Sequence, residues 1–162
     1  MSSFRRRLRA FQAIRGDAPD PAFIADLEFL ENRDLDLSVR QGALLSFNAL
    51  LITVGTHPVS ASPGAPLSLD APTQPGLTAA SLLALAPLVA SSYLCLRALL
   101  AGEEFDADGG EDDAVLRQRL QAAFVRSLDL QTSRIGRAVR CTLAGGVLTL
   151  LVWAAILWTK MA

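Results

Sequence analysis

The stretch "SRIGRAVRCTLAGG" sets Arg134, Arg137 and Arg140 three residues apart, and nineteen residues without a formal charge follow, Cys141 to Thr159. Guanidinium groups spaced this way can sense a membrane field, hold nucleic acid, grip phosphate headgroups, or fix the direction in which a chain crosses a bilayer. Voltage sensing needs arginines inside the field and buried counter-charges nearby. These arginines precede the apolar run, and the chain's other two apolar runs hold no acid. Nucleic-acid binding wants a basic patch with base-reading or stacking groups. Here seven acidic residues crowd positions 103–113 and no such motif is present, so no nucleic-acid partner is expected. Contact with lipid headgroups remains, together with a site for an anionic cytoplasmic ligand, such as a nucleotide, on the Arg119 and Arg126 side. The candidate contact residues are Arg119, Arg126, Arg134, Arg137 and Arg140.

Other reactive groups are sparse. Asp106 and Asp108 have the first spacing of a calcium loop. Gly110 then stands at the third ligand position and Arg117 at the twelfth, where a calcium loop needs an oxygen ligand and a bidentate Glu. The acidic run reads instead as a turn whose Asp112 and Asp113 lie at a helix N-terminus, where negative charge is favoured. Cys95, Cys141 and the single histidine, His57, have no metal-ligand spacing. Both cysteines fall near the inner ends of apolar runs and read as reduced thiols or packing residues. His57 reads as a polar helix end rather than a pH sensor. There is no phosphate loop, no nucleophile elbow and no His–Glu–x–x–His. We expect no enzyme activity, no catalytic residue, no cofactor and no metal.

The elements that must position these residues are three apolar runs. The first is "GALLSFNALLITVG", ending before Pro58; the second spans Leu77 to Leu96; the third is Cys141 to Thr159. About 20 helical residues cross a hydrocarbon core roughly 30 Å thick. The second and third runs fit; the first is shorter, and alone it also suits a buried soluble helix. Together they predict an all-α integral membrane protein with three transmembrane helices, at 41–59, 77–96 and 141–159. Seven arginines precede the first span, none lies in Thr56–Gly76, seven lie in Arg97–Arg140, and the tail holds only Lys160. Lys and Arg concentrate on the cytoplasmic side, so the N-terminus should be cytoplasmic and the C-terminus outside. The outer segment 60–76, rich in Pro, Ser and Gly, predicts a coil or short hairpin.

The flanking regions predict a helical stalk. "MSSFRRRLR" lacks the apolar core of a signal peptide, so the first span should be an uncleaved anchor. Phe4, Leu8 and Phe11 share a face at 100° per residue, giving either a short helix on an anionic leaflet or a basic tail. Within the N-terminal region 1–40, a helix should start near Pro21, break near Asn32–Asp34 and run toward the first span. Within 97–140, the acidic turn should lead into a long amphipathic helix from Asp113 that continues into the third span. Leu120, Phe124, Leu128, Ile135 and Val139 should share its apolar face, opposite Arg119, Arg126, Arg137 and Arg140. That stripe must meet the N-terminal helix, a copy of itself or another protein.

Polar residues inside the spans are few. Asn48 is the costliest to leave unpaired and should bond across a helix interface. Pro87 should kink the second span. Ala144, Gly145 and Gly146 form a close-approach face on the third. Asn48, Ala144, Gly145 and Gly146 are therefore the candidate helix–helix interface.

"LSVRQGALLSFNALLI" and "SRIGRAVRCTLAGGVLTLLVW" resemble the first and last spans of the small membrane effectors of bacterial Pycsar-type antiphage systems. Arg40 and Asn48 match the basic and Asn positions of that first span; Ser38 replaces its leading acid. The resemblance covers about a third of the chain. It implies an oligomeric effector of the bacterial inner membrane, in a family that responds to a cyclic nucleotide signal. The expected function is thus a non-enzymatic, homo-oligomeric effector or pore regulated through its cytoplasmic helices, with membrane lipid as its immediate partner. The alternative is an accessory or scaffold subunit docking on a larger membrane complex through the stalk.

Overall fold

The computed structural model describes residues 21–62, 64–65, 67–100 and 113–161. The basic N-terminal segment with Phe4, Leu8 and Phe11, and the acidic run up to Asp112, lie outside them. Three helices account for most of the described residues, and no strand occurs among these. Helix α1 covers Pro21–Ser60, α2 covers Pro75–Leu99 and α3 covers Asp113–Met161. All three are long and apolar enough to cross a membrane. At 1.5 Å per residue, the 25 residues of α2 extend about 38 Å, while the 40 of α1 and the 49 of α3 extend about 60 and 74 Å.

The chain divides into two compact units, with boundaries at Arg40/Gln41, Arg97/Ala98 and Ser133/Arg134. In the first, α1 and α3 pack side by side and run parallel. Leu27 and Leu120 are buried together, with Phe23 and Phe124 against them. The Gln121 amide donates to Asp26 Oδ2 at 3.2 Å, and the Gln131 amide donates to Asp34 Oδ1 at 2.9 Å. The apolar stripe of α3 thus meets α1 within the same chain. The break expected near Asn32–Asp34 does not occur. Asp34 is held by Gln131, Arg33 and Arg40 both pair with Asp36 one turn away, and Leu30 and Leu37 are buried on either side. Burial and i,i+4 pairing outweigh the weak helix propensity of Asn and Asp.

The second unit holds the apolar runs. Its buried positions recur at alternating steps of three and four: Ser81, Ala84, Leu88, Ser91 and Cys95 on α2, and Ile135, Ala138, Thr142, Gly145 and Thr149 on α3. This is a heptad spacing, the pattern of knobs-into-holes packing at shallow crossing angles. It corrects the face expected for α3. Val139 is 40% exposed, while Ala138 is fully buried. Helix α1 also continues through Pro58, which is buried, to Ser60. Pro87 sits inside α2 without ending it. The connection from α1 to α2 is made of turns: Leu69 N–H donates to the Pro58 carbonyl at 2.7 Å, and Lys160 Nζ donates to the Ala65 carbonyl at 3.0 Å.

Candidate functional site

Two constellations in the second unit are built from more than one helix. The first is a buried polar cluster to which each helix contributes one side chain. Asn48 of α1 and Ser91 of α2 are fully buried, and Thr142 of α3 is nearly so. The Asn48 amide donates to Ser91 Oγ at 2.9 Å, and the Thr142 hydroxyl donates to Asn48 Oδ1 at 2.7 Å. Ser91 Oγ lies 2.8 Å from both Thr142 Oγ1 and the Ala138 carbonyl oxygen. The proton count settles the direction. A hydroxyl has one proton, and that of Thr142 serves Asn48. Ser91 must therefore be the donor toward Thr142 or Ala138. When it points to Thr142, the three side chains close a ring in which each donates once and accepts once.

Small residues let the helices approach next to this ring. A Cβ on Gly145 would fall 2.6 Å from Leu88 Cγ and 3.2 Å from the Leu88 backbone nitrogen. Gly55 follows Asn48 by seven residues, and a Cβ there would meet Leu85 Cδ2 at 2.5 Å. Gly146 has ordinary space, with Leu51 Cδ1 at 3.9 Å, and Ala144 is exposed. Of the four candidate interface residues, Asn48, Gly145 and Gly146 therefore face other helices of the same chain, and Ala144 faces outward. Seven residues before Asn48 stands Gln41. It is fully buried, and neither its amide nitrogen nor its oxygen has a hydrogen-bond partner within the chain. Sequence inspection passed over Gln41 because it opens an uncharged run and looks like a boundary residue.

The second constellation is basic. Arg134 is half-buried and donates from Nη1 to the Arg97 carbonyl at 2.7 Å. That oxygen belongs to the last turn of α2, where carbonyls lack helical partners and a cation offsets the helix dipole. The Arg97 guanidinium lies over the Tyr93 ring, 5.7 Å from its centroid. Arg137 and Arg140 are exposed farther along α3. Sequence reading missed Arg97 and Tyr93 as partners of the arginine row. Their spacing of four was visible, but their nearness to Arg134 was not.

Arg119 and Arg126 belong to the first unit and are exposed. Arg126 lines an open groove of about 500 Å³ with Gln118, Gln121, Val125 and Asp129, all from one face of α3. A groove walled by a single helix encloses no ligand, and its Asp129 carboxylate opposes an anion. Among the described residues, no three His, Cys, Asp or Glu side chains are grouped to hold a metal ion. Cys95 is buried, Cys141 is half-buried, and both are free thiols. His57 is exposed in the last turn of α1. Comparison with protein-family models, with curated proteins and with solved structures gives no match to this chain.

Proposed function

We propose that the chain is a non-enzymatic, multi-pass protein of a bacterial inner membrane, and that it acts on that membrane as a homo-oligomer, as an effector or a pore. One observation carries the membrane part. In the second unit Asn48, Ser81, Ser91, Thr142 and Thr149 are all buried, while Phe47, Leu83, Val89, Leu143 and Leu150 are exposed. A water-soluble bundle has the opposite arrangement, and contiguous apolar surface on this scale marks contact with lipid or partner. The distribution of arginine supports an orientation with the N-terminus and the first unit in the cytoplasm and the C-terminus outside. Three spans whose few polar side chains are buried and bonded to one another are too few and too apolar for a single copy to line a water path. Conduction would need several copies, and the cytoplasmic helices are the place for a signal to enter.

The second reading is an accessory subunit that docks on a larger complex. It is favoured by apolar residues of the first unit that lie outside its packed stripe: Phe29, Val125 and Leu130 are exposed. Native mass spectrometry after mild extraction, paired with a membrane-potential dye in expressing cells, separates the two. A discrete homo-oligomer with depolarisation supports the effector. One copy bound to other subunits, with potential unchanged, refutes it in favour of the accessory role.

A further inference from the structure

The second unit contains four arginines and one carboxylate. The arginines, Arg97, Arg134, Arg137 and Arg140, all lie at the end where α2 terminates. The carboxylate, Asp70, precedes the start of α2 at the other end. Among the described residues none of the four makes an ion pair, whereas Arg33 and Arg40 of the first unit both engage Asp36. The Arg134 guanidinium bonds to the main-chain carbonyl of Arg97, so both residues stand at the C-terminal end of α2. That bond uses one of the five N–H donors of Arg134. Cations gathered at one helix end, with no carboxylate paired to them among the described residues, attract an anion.

The surroundings narrow the anion's chemistry. Tyr93 sits beneath Arg97, and Val89 and Leu96 are exposed on the same face of α2. On α3, Arg137 is followed on its own face by exposed Ala144 and Leu148. Cations at one end of α2, with apolar surface farther along the same helix faces, match a molecule that is ionic at one end and hydrocarbon at the other. Arginine's planar fork suits a phosphate oxygen pair. A soluble anion would use the cations and leave the apolar surface uncovered.

We propose that Arg97, Arg134 and Arg137, with Tyr93, form a binding site for the headgroup phosphate of an anionic phospholipid. This rests on the membrane reading above. It goes beyond a general attraction of arginines to the inner leaflet, because it assigns a defined site to the end of α2 and leaves Arg119 and Arg126 out of it.

The test uses the full chain in bilayer nanodiscs of phosphatidylcholine doped with phosphatidylglycerol, released into the gas phase for native mass spectrometry. Wild type should retain phosphatidylglycerol in preference to phosphatidylcholine. Each basic residue near an anionic surface contributes roughly fivefold in binding, so Arg97→Gln/Arg134→Gln should weaken retention about thirtyfold. Arg97→Gln alone should weaken it about fivefold with the fold intact, because Arg134 bonds the main-chain oxygen of Arg97. Arg97→Lys should restore most of the loss. Equal retention of the two lipids, or no change in Arg97→Gln, overturns the site. So does displacement of the lipid by millimolar inorganic phosphate, which would mark a soluble-anion site. Retention of phosphatidylglycerol only in a variant with Glu103, Glu104, Asp106 and Asp108 changed to amides would show that the chain's own acids neutralise the arginines, and would also overturn it. Carbonate extraction of the same variants reports on membrane insertion separately, so failure of that reading is recognised independently.

Discussion

Ser91 is the hub of the buried ring, and its removal should cost more than its size suggests. Ser91→Ala deletes one oxygen. The Asn48 amide then loses its acceptor at 2.9 Å, in a site with no exposure to solvent. An orphaned buried donor costs about 1–3 kcal/mol. Asn48→Ala deletes more atoms yet strands no proton. Thr142 can turn from Asn48 Oδ1 to Ser91 Oγ, 2.8 Å away, and Ser91 can donate to the Ala138 carbonyl, also at 2.8 Å. Its cost is two interhelical bonds, at roughly 0.6 kcal/mol each by membrane double-mutant cycles, plus the cavity left behind. In the double variant the orphaned amide is gone, and the Thr142 hydroxyl, having lost both Asn48 and Ser91, can donate to the carbonyl of Ala138 four residues back, which Ser91 no longer occupies. The double variant's destabilisation should therefore fall short of the sum of the single variants by about 1 kcal/mol, within the range for residues in one network. Unfolding in mixed micelles, followed by the fluorescence of Trp153 and Trp158, measures all three. Additivity to within about 0.5 kcal/mol would refute the shared-proton argument.

Gln41→Leu should leave the protein as stable as wild type or more so, by up to about 1–3 kcal/mol, since it removes a buried amide with no partner; a marked loss in the same assay would mean that the amide makes a bond essential to the fold. Gly145→Ala should destabilise by about 1–3 kcal/mol through overpacking, because the Leu88 backbone nitrogen, 3.2 Å from the new methyl, cannot swing aside. Gly146→Ala meets only Leu51 Cδ1 at 3.9 Å and should be neutral. Equal effects at the two glycines would contradict the close approach of α2 and α3.

Much of the helical frame is legible in the sequence, because it depends on local chemistry. Proline opens α1 and α2, no proline interrupts 113–161, and the charge-free runs are long. What could not be read depends on partners distant in sequence. Asn32–Asp34 looks like a breaker until Gln131, 97 residues away from Asp34, is seen to hold it. Asn48 stands out alone as a costly amide, but Ser91 and Thr142 are unremarkable hydroxyls among several until three helices bring them together. A wheel of 3.6 residues per turn puts Val139 on the apolar face. Helices that pack along their length follow 3.5, and over five turns the difference is enough to move a residue from the seam to its edge.

The same spacing bears on how the proposed effector would assemble. Heptad positions of the second unit are filled within one chain: Leu88 covers Gly145, and the ring joins Asn48, Ser91 and Thr142. Contacts between copies would then have to use what remains outside. On α3 that is Ala144, Leu148 and Leu151, which follow one another at steps of four and three and are all exposed. In lipid, leucines alone give little net drive for association, and small residues that admit close backbone approach give more. Of the small face on the third span, only Ala144 is left to serve a second copy. A homo-oligomer held through this helix would be weakened by Ala144→Leu with the monomer's own packing untouched. One held through the first unit would ignore that change and respond instead to Phe29→Ser, so oligomer mass for the two variants identifies which unit carries the assembly.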